Sequence, residues 1–254
     1  MGHIIAVINQ KGGVGKTTTV INLAAYLQKL NNTVLIVDID PQGNATSGLG
    51  INKHEVSIGT QEVILGKTPL DRVILKTAAD IHLIPTGQAL AAAEVDLVNV
   101  SEREFRLKQA LSSCNYDYIL IDCPPALSLL TINALTAADS VLIPVQAEYY
   151  ALEGLSQLLE IIQLVKDGLN PDLAILGVLL TMYDARTSLS EQVKMELTEY
   201  FGDNMFQTII PRNVRLAEAP SHGQTISHYD RWSKGARAYK QLAKEVHQRV
   251  RSGS

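Results

Sequence analysis

Nine consecutive residues, Gln10-Lys11-Gly12-Gly13-Val14-Gly15-Lys16-Thr17-Thr18, combine glycines, two lysines and two hydroxyls in a phosphate-holding pattern. Glycines let a backbone bend and bring its N–H groups close to an anion. Lys16 can reach the β- and γ-phosphates of a nucleotide, and the Thr17 hydroxyl can ligate Mg²⁺. Three carboxylates complete the chemistry. Asp38 and Asp40 close one apolar run, and Asp122 closes another. A carboxylate within reach of a water can orient it and accept its proton. One at the end of a buried strand can hold Mg²⁺ directly or through water.

The flanking residues say how these groups are positioned. An apolar run at 4–8 precedes the glycine loop, and a helical pattern over 17–30 follows it. That order is strand, loop, helix, and the helix N-terminus adds N–H donors and partial positive charge. The usual phosphate-loop pattern is G-x-x-x-x-G-K-[ST]. Here Gly15-Lys16-Thr17 fit, Gln10 replaces the first glycine, and Lys11 is an extra cation. A glycine-rich turn with two solvated lysines has the same composition, but the flanking elements argue against it. The run 33–40 reads as a buried parallel strand that ends at Pro41-Gln42-Gly43-Asn44, a loop signal. The run 118–121 reads likewise, with a turn at Cys123-Pro124-Pro125 after Asp122. Ligands in open α/β sheets sit beyond the carboxyl ends of strands, so these acids end where the loop ends. Taken singly, Asp38 is also readable as a strand-end cap and Asp122 as a turn aspartate.

Further strands are predicted at 72–75, 81–85, 140–145, 173–180 and 206–210, and helices at 88–98, 102–112, 152–167, 190–200 and 234–251. Strands alternating with helices predict an α/β fold with a doubly wound, mostly parallel sheet flanked by helices. No repeat or linker divides the chain, so residues 1–254 are expected to form a single domain. No stretch of 18 apolar residues occurs, which excludes a spanning helix. There is no signal-peptide pattern, and the two cysteines have no metal spacing, so a reduced, cytoplasmic setting is expected. Net charge is −4, unevenly spread. Residues 1–204 carry 13 basic and 23 acidic side chains, net −10, whereas 205–254 carry 9 and 3, net +6. Such asymmetry points either to a polyanion partner or to a solvated helix face.

The segments KGGVGKTTT, VDIDPQGNATSGLG, YDYILIDCPP and IPRNVRLAEAPSHG together resemble the ParA/Soj partition ATPases, within the deviant Walker A (ParA/MinD) class of P-loop NTPases. The resemblance runs from about Ile4 to Val250, and YYALEGL at 149–155 and MYDART at 182–187 narrow it to Soj-like members. It implies that residues Lys11, Gly12, Gly13, Val14, Gly15, Lys16, Thr17 and Thr18 bind ATP. Lys11 would cross a dimer interface to the partner's nucleotide, as an arginine finger does. Asp40 would position or activate the attacking water, with Thr17, Asp38 and Asp122 around the Mg²⁺. Pro211 and Asn213 match positions near the adenine, and Arg186 and Arg215 match basic positions implicated in DNA contact.

The resemblance also implies a cycle. ATP drives a homodimer, the dimer binds double-stranded DNA without sequence preference, and a ParB-type partner stimulates hydrolysis. Localisation on the nucleoid follows from that cycle. The alternatives are ParA-like positioning of another cargo, such as a protein complex, and a MinD-like membrane switch. The latter needs a free amphipathic C-terminal helix, and residues 241–254 offer only Leu242, Val246 and Val250. An iron–sulfur electron-transfer ATPase would need cysteines on the dimer face, which Cys114 and Cys123 do not match.

Overall fold

The computed structural model describes residues 2–87, 89–148 and 153–253. The strands are β1 (His3–Val7), β2 (Val34–Asp38), β3 (Leu75–Lys76), β4 (His82–Ile84), β5 (Tyr118–Asp122), β6 (Ser140–Gln146) and β7 (Ala174–Thr181). They form one seven-stranded sheet in the order β3-β4-β2-β5-β1-β6-β7. Every pairing is parallel except β3 with β4. The helices are α1 (Lys16–Gln28), α2 (Asn44–Gly48), α3 (Thr60–Ile64), α4 (Leu90–Leu97), α5 (Arg106–Leu111), α6 (Leu129–Ala137), α7 (Glu153–Gly168), α8 (Ser188–Phe201), α9 (Val214–Glu218), α10 (Ile226–Tyr229) and α11 (Lys234–Ser252). The predicted starts of α4, at Gln88, and α7, at Leu152, lie outside the described residues, as do the first four residues of YYALEGL.

The central strands read as unbroken apolar runs because both sheet faces are covered. Ala6, Leu35 and Ile121 point into the core beneath α3 to α8, whereas Ile5, Ile36 and Leu120 point into the core beneath α1 and α11. This period-two division follows from the pleat. It also sets the functional end of the sheet. Val7 pairs with Asp122, and Asp38 pairs with Asp122 from the other side. The loops after β1, β2 and β5 therefore leave the sheet side by side.

Three expectations need correction. The run 72–75 is largely not strand. Leu70–Arg72 is a 3-10 turn behind Pro69, and Val73 and Ile74 donate back to the Leu70 carbonyl at 3.0 and 3.2 Å. Only Leu75 and Lys76 remain to pair with β4. The helix predicted over 102–112 starts at Arg106, after Glu102 turns the chain with φ 52°. The run 206–210 lies beside β7 but makes no ladder. The Phe206 and Ile210 N–H groups donate to Val178 and Leu180 carbonyls, both at 2.9 Å. Between them, Gln207 and Thr208 N–H donate to the Glu245 carboxylate at 2.8 and 3.0 Å. A side chain of α11 thus replaces the strand that the apolar pattern suggested.

Glu245 also accepts from Arg249 at 3.1 Å, so it satisfies three donors at once. Replacing it with alanine leaves two backbone N–H groups and a half-buried guanidinium short of an acceptor. The expected loss is about 2 kcal/mol of stability. For a chain of this size that is roughly 4–8 °C in Tm, read by calorimetry. An unchanged Tm would show that solvent replaces the carboxylate at no cost.

Candidate active site

The loop after β1 is shaped before any ligand is considered. Asn9, directly after the strand, donates from Nδ2 to the Pro144 carbonyl at 2.7 Å and accepts the Lys11 N–H at Oδ1 at 2.9 Å. Thr181, the last residue of β7, donates its hydroxyl to the Val14 carbonyl at 2.8 Å. Between these anchors Gly13 and Gly15 adopt φ 77° and 89°. A side chain at either position would be strained in that left-handed conformation. Gly15 serves as the α1 N-cap without a side-chain cap. Among the described residues, the N–H groups of Gly13, Gly15, Lys16, Thr17 and Thr18 have no acceptor. Converging free N–H groups at a helix start make an anion site.

Lys16 lies within this curve, 6% exposed, with Nζ 3.1 Å from the Lys11 carbonyl. Burial lowers its pKa, and Asp122 foremost pulls it back. The Lys11 ammonium is elsewhere, in an ion pair with the half-exposed Glu148.

The three acids divide by environment. The Thr17 hydroxyl donates to Asp122 Oδ2 at 2.8 Å. Asp122 Oδ1 is buried and, among the described residues, has no hydrogen-bond partner. Burial first, then the charge of Asp38, raises the Asp122 pKa well above the usual carboxylate range. An orphaned carboxylate oxygen beside a threonine hydroxyl, at the foot of an anion site, is a donor set that fits Mg²⁺. Asp38 is fully buried, and its carboxylate takes hydrogen bonds from Thr46 and from the Asp40 N–H. Asp40 is 5% exposed and accepts the Gln42 N–H at 2.9 Å through Oδ1. Asp40 lines a cleft of about 530 Å³ together with Gly13, Lys16, Thr17 and Asn44. Lys16, Thr17 and Asp40 thus line one cleft, and Asp122, bonded to the Thr17 hydroxyl, is buried behind it, as is Asp38.

A family model described as an AAA domain matches residues 2–175. The sporulation initiation inhibitor protein Soj of Bacillus subtilis (strain 168) is 58% identical over 249 residues, covering 97% of this chain and 98% of that one. The chromosome partitioning protein ParA of Myxococcus xanthus (strain DK1622) is 53% identical over 252 residues, covering 98% and 89%. The chain belongs to the Soj/ParA family of chromosome-partitioning ATPases. Its fold matches the structure of cobyrinic acid a,c-diamide synthase from Mycobacterium smegmatis with bound ATP analog and magnesium. There the TM-score is 0.89 at 37% identity, covering 100% of this chain and 98% of that one.

In this Soj/ParA-family chain, Pro211 and Asn213 line a second, apolar pocket of about 310 Å³ with Ile210, Val214 and Tyr239. The pocket shares Gly15, Thr18 and Met182 with the cleft, so the two adjoin. Met182, at φ 52°, is the turn between them. Asn213 caps α9, accepting the Arg215 N–H at 2.9 Å.

The two arginines lie apart from the cleft, each on a carboxylate. Arg186 grips Asp184 with two contacts, at 2.7 and 2.9 Å. Arg215 meets Glu218 at 2.8 Å and approaches Asp230 at 3.7 Å. Sequence reasoning missed a larger cationic feature. Lys234, Arg237, Lys240, Lys244 and Arg251 are all exposed on α11, while Tyr239, Leu242 and Val246 are buried beneath them. Among the described residues none of these five cations has an ion-pair partner, because the one acid of α11, Glu245, is turned inward. Trp232 stands at the head of this face, 75% exposed, with the Arg231 guanidinium 4.7 Å from its ring. Helical spacing of the basic residues was the available signal. Asn9, Thr181, Glu148 and Thr46 were also missed, and their roles arise from contacts distant in sequence.

Proposed function

We propose that the chain, acting as one ATPase domain over residues 1–254, is an ATP-driven dimerising switch that carries cargo by binding DNA. ATP sits with its phosphates in the Gly12–Thr18 loop, its adenine against Pro211 and Asn213, and Mg²⁺ beside Thr17 and Asp122. When bound, Mg²⁺ offsets charge on the β- and γ-phosphates. Lys16 holds the same phosphates, Asp40 orients the attacking water, and Lys11 leaves Glu148 for the nucleotide of a second copy. The dimer then binds double-stranded DNA, and a ParB-type protein stimulates hydrolysis and releases it, in the cytoplasm and on the nucleoid. Relatives such as the chromosome partitioning protein of Myxococcus xanthus support a chromosome, rather than a protein complex, as the cargo.

The observation that carries the DNA reading is the outer face of α11. Five exposed cations with no carboxylate partner among the described residues suit phosphate contacts, which need no base-reading element. Arg186 and Arg215, both exposed, would exchange carboxylates for phosphates as well. No described helix is long and apolar enough to cross a membrane. A surface-bound membrane switch would need apolar residues free on α11, and Leu242 and Val246 are packed inside.

The test is binding to random-sequence duplex with ATP, with ADP and without nucleotide, over a salt series. Trp232, the only tryptophan, reports contact through its fluorescence. ATP-only binding that weakens steeply with salt is expected. Arg215→Glu should weaken binding roughly tenfold at fixed salt and lower the salt slope by about one, with dimerisation unchanged. Equal affinity in all three nucleotide states, or none in any, would remove the DNA switch.

A further inference from the structure

We propose that Thr46 is a positioning residue for hydrolysis, acting through Asp38 to fix the loop that carries Asp40. The inference rests on Asp40 as the group that orients the attacking water. Asp38 Oδ2 accepts both the Thr46 hydroxyl, at 2.6 Å, and the Thr46 N–H, at 2.8 Å. Asp38 Oδ1 accepts the Asp40 N–H at 3.2 Å. Both oxygens of this fully buried carboxylate are therefore used by the protein. Asp38 thus clasps the loop that carries Asp40.

The clasp is anchored on a further strand. The Thr46 hydroxyl has one proton, which goes to Asp38, and its oxygen accepts the Thr86 N–H at 2.9 Å. Thr86 follows β4, the neighbour of β2. The Asp38 carbonyl in turn accepts the Thr60 hydroxyl at 2.7 Å. The segment 38–46 is thus pinned at both ends to the sheet. Between the pins, Gly43 N–H donates to the Asp40 carbonyl at 2.8 Å, which closes a turn around Asp40. Only a hydroxyl at position 46 can donate to Asp38 and accept from Thr86 together, and only serine and threonine supply one without a change in length. Without it, the Asp40 carboxylate is free to shift, and a misplacement of about 1 Å at a reacting group costs on the order of 10²-fold in rate.

The experiment measures single-turnover hydrolysis, ATP affinity and Mg²⁺ half-saturation for full-length Thr46→Val, Thr46→Ser and Thr46→Ala, with Asp40→Ala as control. Thr46→Val and Thr46→Ala should slow hydrolysis by roughly 10- to 100-fold. Their ATP affinity and Mg²⁺ half-saturation should stay within about twofold, and Thr46→Ser should recover the rate to within about threefold. A merely structural role would not separate rate from affinity in this way. Wild-type hydrolysis in Thr46→Val would overturn the proposal. So would raised Mg²⁺ half-saturation with an unchanged rate, or a serine variant as slow as the valine one. If Thr46→Val does not fold, the serine and alanine variants decide between the same outcomes. Normal turnover by Asp40→Ala is a separate failure, which removes the Asp40 assignment itself.

Discussion

Replacing Lys16 with alanine is expected to abolish ATP-driven dimerisation and to weaken ATP binding by on the order of 10²- to 10³-fold. The ammonium lies inside the loop, 6% exposed, where its contacts with phosphate would be dehydrated. Hydrogen bonds to charged groups are worth about 1.5–3 kcal/mol each, and two phosphates share this cation. The loss is compounded by what remains. Asp122 and Asp40 are close enough to act on the Lys16 charge, and without the lysine nothing offsets them beside the triphosphate. Titration calorimetry with Mg²⁺-ATP reads the affinity, and light scattering after gel filtration reads the dimer. ATP-driven dimers at wild-type affinity would mean that the loop N–H groups suffice, and would remove Lys16 from its assigned place.

Replacing Asp40 with alanine is expected to have the opposite profile. ATP should bind and the dimer should form, but hydrolysis should slow by roughly 10²- to 10⁴-fold. Asp40 lines the cleft, and among the described residues only its Oδ1 is engaged, by the Gln42 N–H. Oδ2 is left for a water. Among the described residues the Asp40 carboxylate makes no hydrogen bond to the anion-holding N–H groups, so ATP binding is expected to survive its loss. The variant should persist as an ATP-bound dimer on DNA, detectable as slow release after ATP is chased with ADP. Hydrolysis at the wild-type rate would transfer the water-orienting role to another residue.

The phosphate loop and the acids were legible because their signals are local. Gly13 and Gly15 adopt backbone angles that glycine tolerates best, and Asp38 and Asp122 end apolar runs that could only be buried strands. Register did the rest, since parallel pairing sets those strand ends beside one another. What was illegible depends on partners far along the chain. The apolar run at 206–210 has a strand's composition, yet Glu245 supplies its acceptors from 38 and 37 residues away. Asn9 and Thr181 are ordinary polar residues until Pro144 and Val14 are placed opposite them. The positive balance of 205–254 was visible in composition. Its concentration on one helix face was not, because the inward turn of Glu245 is a tertiary fact.

The strand order also decides how the molecule can breathe. The strand bearing the phosphate loop has two strands on its β7 flank and four on its β3 flank. The β3 edge, only two residues long, can fray and re-form without disturbing the three strand ends that meet at the cleft. Amide protons there are expected to exchange by local opening, and those of β1, β2 and β5 only when the sheet itself comes apart. The catalytic end of this ATPase is thereby tied to the central, doubly flanked part of its sheet.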